Sequence, residues 1–179
     1  MWAIDTLTRM EYRLPKRRNS RLSDYDYTAA GAYFVTVSVV GRRCILGAIR
    51  NGTVCLTQAG ECVLDAWTAL ESRYVGVHLD EYVIMPNHVH GILLLGLEQD
   101  VPPGPQHYKP LGQLVGAFKT RSAHRINELR HTPGIPVWQR GYYEHVVRND
   151  RSLQAVREYV ANNPTQWALD RENPDHGQA

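Results

Sequence analysis

Two apolar, β-rich runs, residues 77–85 and 88–95, are separated only by Pro86-Asn87. Proline has no amide hydrogen to give a sheet, and asparagine favours turns. The pair therefore cannot continue a central strand, and the spacing predicts a hairpin. The other elements arrange themselves around it. Tyr33 to Val40 is rich in aromatic and β-branched residues and ends at Gly41, which predicts a strand followed by a turn. Thr57 can cap a helix whose apolar residues Val63, Trp67, Leu70 and Tyr74 recur at three-and-four spacing. Glu98 to Pro110 carries Pro102, Pro103, Gly104, Pro105 and Pro110 and reads as an exposed loop. A second helix follows from Leu111 through Leu114, Val115, Phe118, Ser122 and Ile126, with Arg121 and Arg125 one turn apart on another face. A short strand at Tyr143 to Arg148, a cap at Asp150 and a helix through Leu153, Val156, Tyr159 and Val160 stopping at Pro164 complete the pattern. The order is strand, helix, hairpin, helix, strand, helix. It predicts an α+β domain with a mostly antiparallel sheet.

The 179 residues suffice for one domain with a real core, expected over residues 25–168. Residues 1–24 read as a basic arm and 169–179 as a polar, fraying tail. The net charge of +2 hides an uneven distribution, because Arg9, Arg13, Lys16, Arg17, Arg18 and Arg21 face only Glu11 in their stretch. Such an arm neutralises phosphates or is simply solvated, and composition leaves both open. Gly91 to Leu97, the longest apolar run, is far short of the roughly 20 residues that cross a bilayer, and no signal segment opens the chain. A soluble, cytoplasmic protein without a membrane partner is expected. Cys44, Cys55 and Cys62 are odd in number and lack close-paired spacing, which argues against disulfides and a cysteine zinc site.

Three groups of residues can carry chemistry. Alternation along a strand sends His88 and His90 to one face with Val89 to the other, so two imidazoles converge where a divalent metal could bind. A hydrogen-bonded histidine pair accounts for the same triplet. Tyr159 lies on a helix with Asn163 four residues later on the same face, which sets a phenol and an oxygen ligand toward one point. A phenol with an ordinary pKa of about 10 is a weak nucleophile, so a metal would have to polarise what it attacks. Packing with the hydroxyl at the core edge explains such a tyrosine equally well. Lys119, Arg121, Arg125, Arg140 and Arg148, interleaved with Trp138, Tyr142 and Tyr143, suit single-stranded nucleic acid, with cations on phosphates and rings under bases. Solvated arginines and core aromatics are the plain alternative.

Three blocks, Tyr82 to His90 (Tyr-Val-Ile-Met-Pro-Asn-His-Val-His), Trp138 to Arg148, and Arg157 to Pro164, together resemble the signature of REP-associated tyrosine transposases, single-tyrosine HUH enzymes of the IS200-like group. The likeness spans roughly residues 25–168. It implies a ferredoxin-like domain with a central antiparallel sheet and flanking helices. It also implies that His88 and His90 bind Mg2+ or Mn2+, with Asn163 where relatives offer the metal a Gln or Asn. Tyr159 would attack a DNA phosphate to give a 5′-phosphotyrosine and a free 3′-hydroxyl. The substrates would be REP-like palindromes folded as hairpins with a single-stranded foot, handled by a monomer or a homodimer. Lys119, Arg121, Arg125, Trp138, Arg140, Tyr143 and Arg148 are the expected DNA contacts. No phosphate-cradling Gly-x-x-x-x-Gly-Lys loop is present, as befits a reaction that stores its energy in the covalent intermediate. A relaxase-like or replication-initiator HUH nuclease, and a non-catalytic regulator that binds repeated palindromes, are the competing readings.

Overall fold

The computed structural model describes residues 30–96, 109–170 and 173–174, so the expected basic arm and most of the proline-rich segment lie outside the described residues. The first strand is β1, Gly31–Ser38. A short hairpin follows, made of β2 (Gly47–Arg50) and β3 (Thr53–Leu56), which the sequence reading omitted. Its tip is Asn51-Gly52, and both residues take positive φ, 51° and 74°, as a tight two-residue hairpin turn requires. Thr57 caps α1 (Gln58–Arg73) as expected. Its hydroxyl accepts from the Gly60 amide at 3.2 Å and donates to the Ile45 carbonyl at 2.8 Å, so the cap also ties the helix to the preceding loop.

The predicted hairpin is β4 (Val77–Ile84) paired antiparallel with β5 (His88–Leu95), and α2 (Leu111–Arg130) buries Leu111, Leu114, Val115, Phe118, Ser122 and Ile126. β6 (Tyr143–Val147) and α3 (Asp150–Asn162) follow. The expected cap at Asp150 is corrected by one residue. Asn149 is the cap, its side-chain oxygen accepting from the Ser152 amide at 2.8 Å, and Asp150 opens the first turn, where a carboxylate favours the helix dipole. The chain leaves α3 before Pro164, as expected, but it stays packed into the stretch expected as a fraying tail from residue 169. It continues through a 3-10 turn, Pro164–Leu169, and Asp170 and Asn173 stay packed.

The main sheet is antiparallel in the order β4-β5-β1-β6. With two crossing helices this is the ferredoxin-like βαββαβ arrangement, to which α3 is added. Alternation divides the strand side chains between two layers. Tyr33, Val35, Val37, Val89 and Leu93 pack under α1 and α2 with Trp67, Leu70 and Phe118. Gly91 is required there, because any Cβ at that position would collide with the Trp67 ring. Phe34, Ile92 and Val147 pack on the opposite face with Val156 and Val160 of α3. α3 is anchored to β4 by the Arg157 guanidinium, whose Nε lies 3.0 Å from each Asp80 carboxylate oxygen and whose second nitrogen lies 2.6 Å from Oδ2. No helix among the described residues is long and apolar enough to cross a membrane.

Candidate active site

His88 and His90 open β5 on the face turned to α3, opposite Ser38 and Thr36 of β1. Both rings are buried, with centroids 4.3 Å apart. Burial holds His90 down to about 3. His88 lies well below the usual histidine range, first through burial and then through the nearby His90 and Arg42 charges. At neutral pH both imidazoles are therefore uncharged, the form that donates a lone pair.

The tautomer of His88 follows from its neighbour. Asn87 is fully buried, and its Nδ2 donates to the Arg42 carbonyl at 2.9 Å. A carbonyl can only accept, so the Asn87 oxygen faces His88, whose Nδ1 donates to it at 2.8 Å. The lone pair is left on Nε2, a buried atom without a hydrogen-bond partner that lies 3.8 Å from Asp170 Oδ2. His90 is held by Thr36 Oγ1, 2.8 Å from Nδ1. Its Nε2 lies 3.4 Å from the hydroxyl of Tyr159 on α3. Phe34 fixes this approach, stacking on His90 at 5.4 Å and meeting Tyr159 edge-on at 6.0 Å.

Asp170 is the residue that sequence reasoning missed. The 3-10 turn after α3 brings Trp167 to 6.1 Å from His88 and buries the Asp170 side chain to 7% exposure. The signals for it were Pro164, well suited to open a new helical turn, and Trp167, an aromatic ring in an otherwise polar stretch. His88, His90 and Asp170 offer ligand atoms that all lie within 4.8 Å of one another. Asn163, at the end of α3, is 4% exposed, and its side-chain oxygen has no hydrogen-bond partner. His88 Nε2, buried and unsatisfied 3.8 Å from the Asp170 carboxylate, makes with His90 a mixed nitrogen and oxygen set that fits a divalent cation.

The family described as "Transposase IS200 like" matches residues 61–163, more than half of the chain. The chain belongs to the IS200-like transposase family. An uncharacterised protein of Haemophilus influenzae is 34% identical over 170 residues, covering 87% of this chain and 92% of that protein. A solved REP-associated tyrosine transposase bound to a REP hairpin is 21% identical. It has a TM-score of 0.59 over 84% of this chain and 77% of that one, and shares the fold. The family match includes His88, His90, Tyr159 and Asn163 and stops before Trp167 and Asp170.

In this transposase the residues expected at DNA are spread over different surroundings. Arg140 and Arg148 are exposed, and Arg121 is half-buried with its Nε unpartnered. Tyr143 is half-buried on the site face, edge-on to Phe34 at 6.2 Å. Lys119 and Trp138 are tied into the fold. The Lys119 ammonium donates to the carbonyls of Gln139, Arg140 and Gly141 at 2.7, 3.2 and 3.3 Å, and burial lowers its pKa. Trp138 is 7% exposed, packs on Phe118 at 5.5 Å and donates from Nε1 to Ser122 at 2.9 Å, so its ring is core. Arg125 pairs with Asp65 at 2.9 Å across the two crossing helices.

Proposed function

We propose that this transposase cuts and rejoins single-stranded DNA at hairpin-forming, REP-like palindromes, with Tyr159 as the nucleophile. The supporting observation is the 3.4 Å approach of the Tyr159 hydroxyl to His90 Nε2, within a buried cluster of neutral imidazoles and a carboxylate. In the cut, the phenolic oxygen bonds to phosphorus and the bond from phosphorus to the 3′ oxygen breaks. The phenol gives its proton to water, and the departing oxygen takes one to become a 3′-hydroxyl. The 5′ end stays on Tyr159 as a phosphotyrosine. One phosphate ester has replaced another, so a 3′-hydroxyl can reverse the step without ATP. A Mg2+ or Mn2+ ion held by His88, His90, Asp170 and Asn163 would polarise the phosphate and offset the charge that builds on it. Asn87 and Thr36 keep the two rings aimed, and Phe34 sets the tyrosine beside them.

The hairpin bound by the related REP-associated transposase supports a hairpin substrate here. In this reading Arg121, Arg140 and Arg148 meet phosphates and Tyr143 offers a ring to an unstacked base. Lys119, Trp138 and Arg125 act from behind, by holding the 139–141 loop and α2 in shape. Tyr159 faces the histidines of its own chain, which supports a monomer as the catalytic unit. The test is incubation with a hairpin-bearing single strand and Mn2+, with and without chelator, beside a blunt duplex of matched length. Chelator-sensitive cleavage of the hairpin strand is expected, together with weak duplex binding. Binding without cleavage on any such strand would replace this reading by a non-catalytic regulator of palindromes.

A further inference from the structure

β1 runs into a turn at Val40–Arg42 in which both Gly41 and Arg42 are left-handed, with φ of 66° and 53°. For an arginine this backbone is strained, and it persists only where the surroundings hold it. They do so here. The Arg42 carbonyl accepts from Asn87 Nδ2 at 2.9 Å, the Val39 amide donates to the Asn87 backbone carbonyl at 2.8 Å, and the Val40 amide donates to Val137 at 2.9 Å. The same buried carboxamide holds His88 Nδ1 through its oxygen. One side chain thus joins a strained, arginine-bearing turn to a histidine of the candidate site. The 139–141 loop meets the same end of β1, because the Gln139 amide donates to Ser38 at 2.9 Å and Lys119 pins the loop from behind. Arg42, Arg43 and Arg140 are thereby gathered where β1 passes His88.

We propose that the Gly41–Arg43 turn is a phosphate clamp beside the cleavage site, with Arg42 holding a backbone phosphate of the DNA and Asn87 keeping that contact in register with His88. The half-buried Arg42 side chain lies close enough for its charge to act on His88. Neutral rings and a cation would then serve one strand, the rings toward the reacting phosphate and the cation toward a neighbouring one. The inference takes the single strand from the function proposed above but does not require that the strand be cut.

The test uses full-length protein carrying Tyr159→Phe, so that only binding is read. Affinity for oligothymidylate is measured over a salt series, and Mn2+ affinity without DNA by calorimetry. Arg42→Gln should weaken DNA binding about tenfold at low salt. It should also make the log–log salt slope shallower by about 0.7, with Mn2+ affinity not weakened. Arg42→Lys should restore most of the slope. Asn87→Asp keeps an oxygen for His88 but loses the donor to Arg42, so DNA affinity should fall while Mn2+ still binds. Asn87→Ala loses both bonds and should also weaken Mn2+ binding by about 10- to 100-fold. Wild-type affinity and slope in Arg42→Gln would overturn the clamp, and unchanged DNA affinity in Asn87→Asp would overturn the coupling. Failure of the otherwise wild-type protein to form a covalent adduct would count against cleavage alone, leaving these binding results to decide the clamp.

Discussion

His88 and His90 can serve a cation only because the fold keeps them neutral, and this has a measurable consequence for stability. An imidazole in the unfolded chain takes a proton near pH 6.5, whereas folded His90 resists until about 3. Between those values the unfolded state binds more protons. Stability is therefore full above pH 6.5 and falls as the pH drops toward 3, by about 1.4 kcal/mol per pH unit for each such histidine. Thermal melts of metal-free protein should show this decline, and His90→Ala should flatten it by about one proton. An unchanged pH slope in the variant would contradict the neutral, buried assignment. The same residues bear on activity. His88→Ala and His90→Ala should each remove Mn2+-dependent cleavage while the circular dichroism spectrum stays native, and cleavage at wild-type rate in both would end the metal reading. Both histidines were legible in the sequence, because strand alternation alone places them on one face. Asn87 and Thr36, which aim the rings, were not legible as such, since their roles depend on a turn and a register that only the folded chain supplies.

Elements, more than single residues, put the tyrosine where it is. α3 has few buried apolar residues, Val156 and Val160, and its firmest polar tie to the sheet is the fork between Arg157 and Asp80 of β4. Asp80→Ala should cost roughly 1 kcal/mol in stability, an amount limited by the partial exposure of the arginine. It should slow adduct formation through Tyr159 with little change in DNA affinity, and the exchanged pair Asp80→Arg with Arg157→Asp should recover much of the rate. An adduct rate indifferent to Asp80→Ala would show that α3 is held by packing alone. Most of this framework was visible in the sequence, because Pro86-Asn87 marks the hairpin and the three-and-four spacing marks each helix. The β2–β3 hairpin escaped because strands of four residues show too little alternation to be recognised, although Asn51-Gly52 was a sound turn signal. The α3 cap slipped by one residue because Asn149 and Asp150 are both good caps, and only the backbone geometry chooses between them. Asp170 escaped because one tryptophan in a polar stretch is a faint sign that the chain turns back.

At the scale of the whole molecule, the sheet separates two tasks. The α1 and α2 layer, with Trp67 against Gly91 and Trp138 bonded to Ser122, makes the larger core and carries neither the histidine pair nor the tyrosine. The other face carries His88, His90 and Tyr143 under α3, and Arg140 and Arg148 are exposed. This division explains how a fold shared at 21% identity can keep its architecture while the residues of the site face set what it does. The central claim is that Tyr159 becomes covalently joined to DNA. The most direct measurement is mass mapping of the adduct formed with a hairpin-bearing single strand and Mn2+, in wild type, Tyr159→Phe and Tyr143→Phe. Tyr159→Phe removes only a hydroxyl, so it should stay folded within about 1 kcal/mol of wild type and still bind the strand. The account predicts a 5′-phosphotyrosine on the peptide containing Tyr159 in wild type and Tyr143→Phe, and none in Tyr159→Phe. An adduct that persists in Tyr159→Phe and disappears in Tyr143→Phe would contradict it.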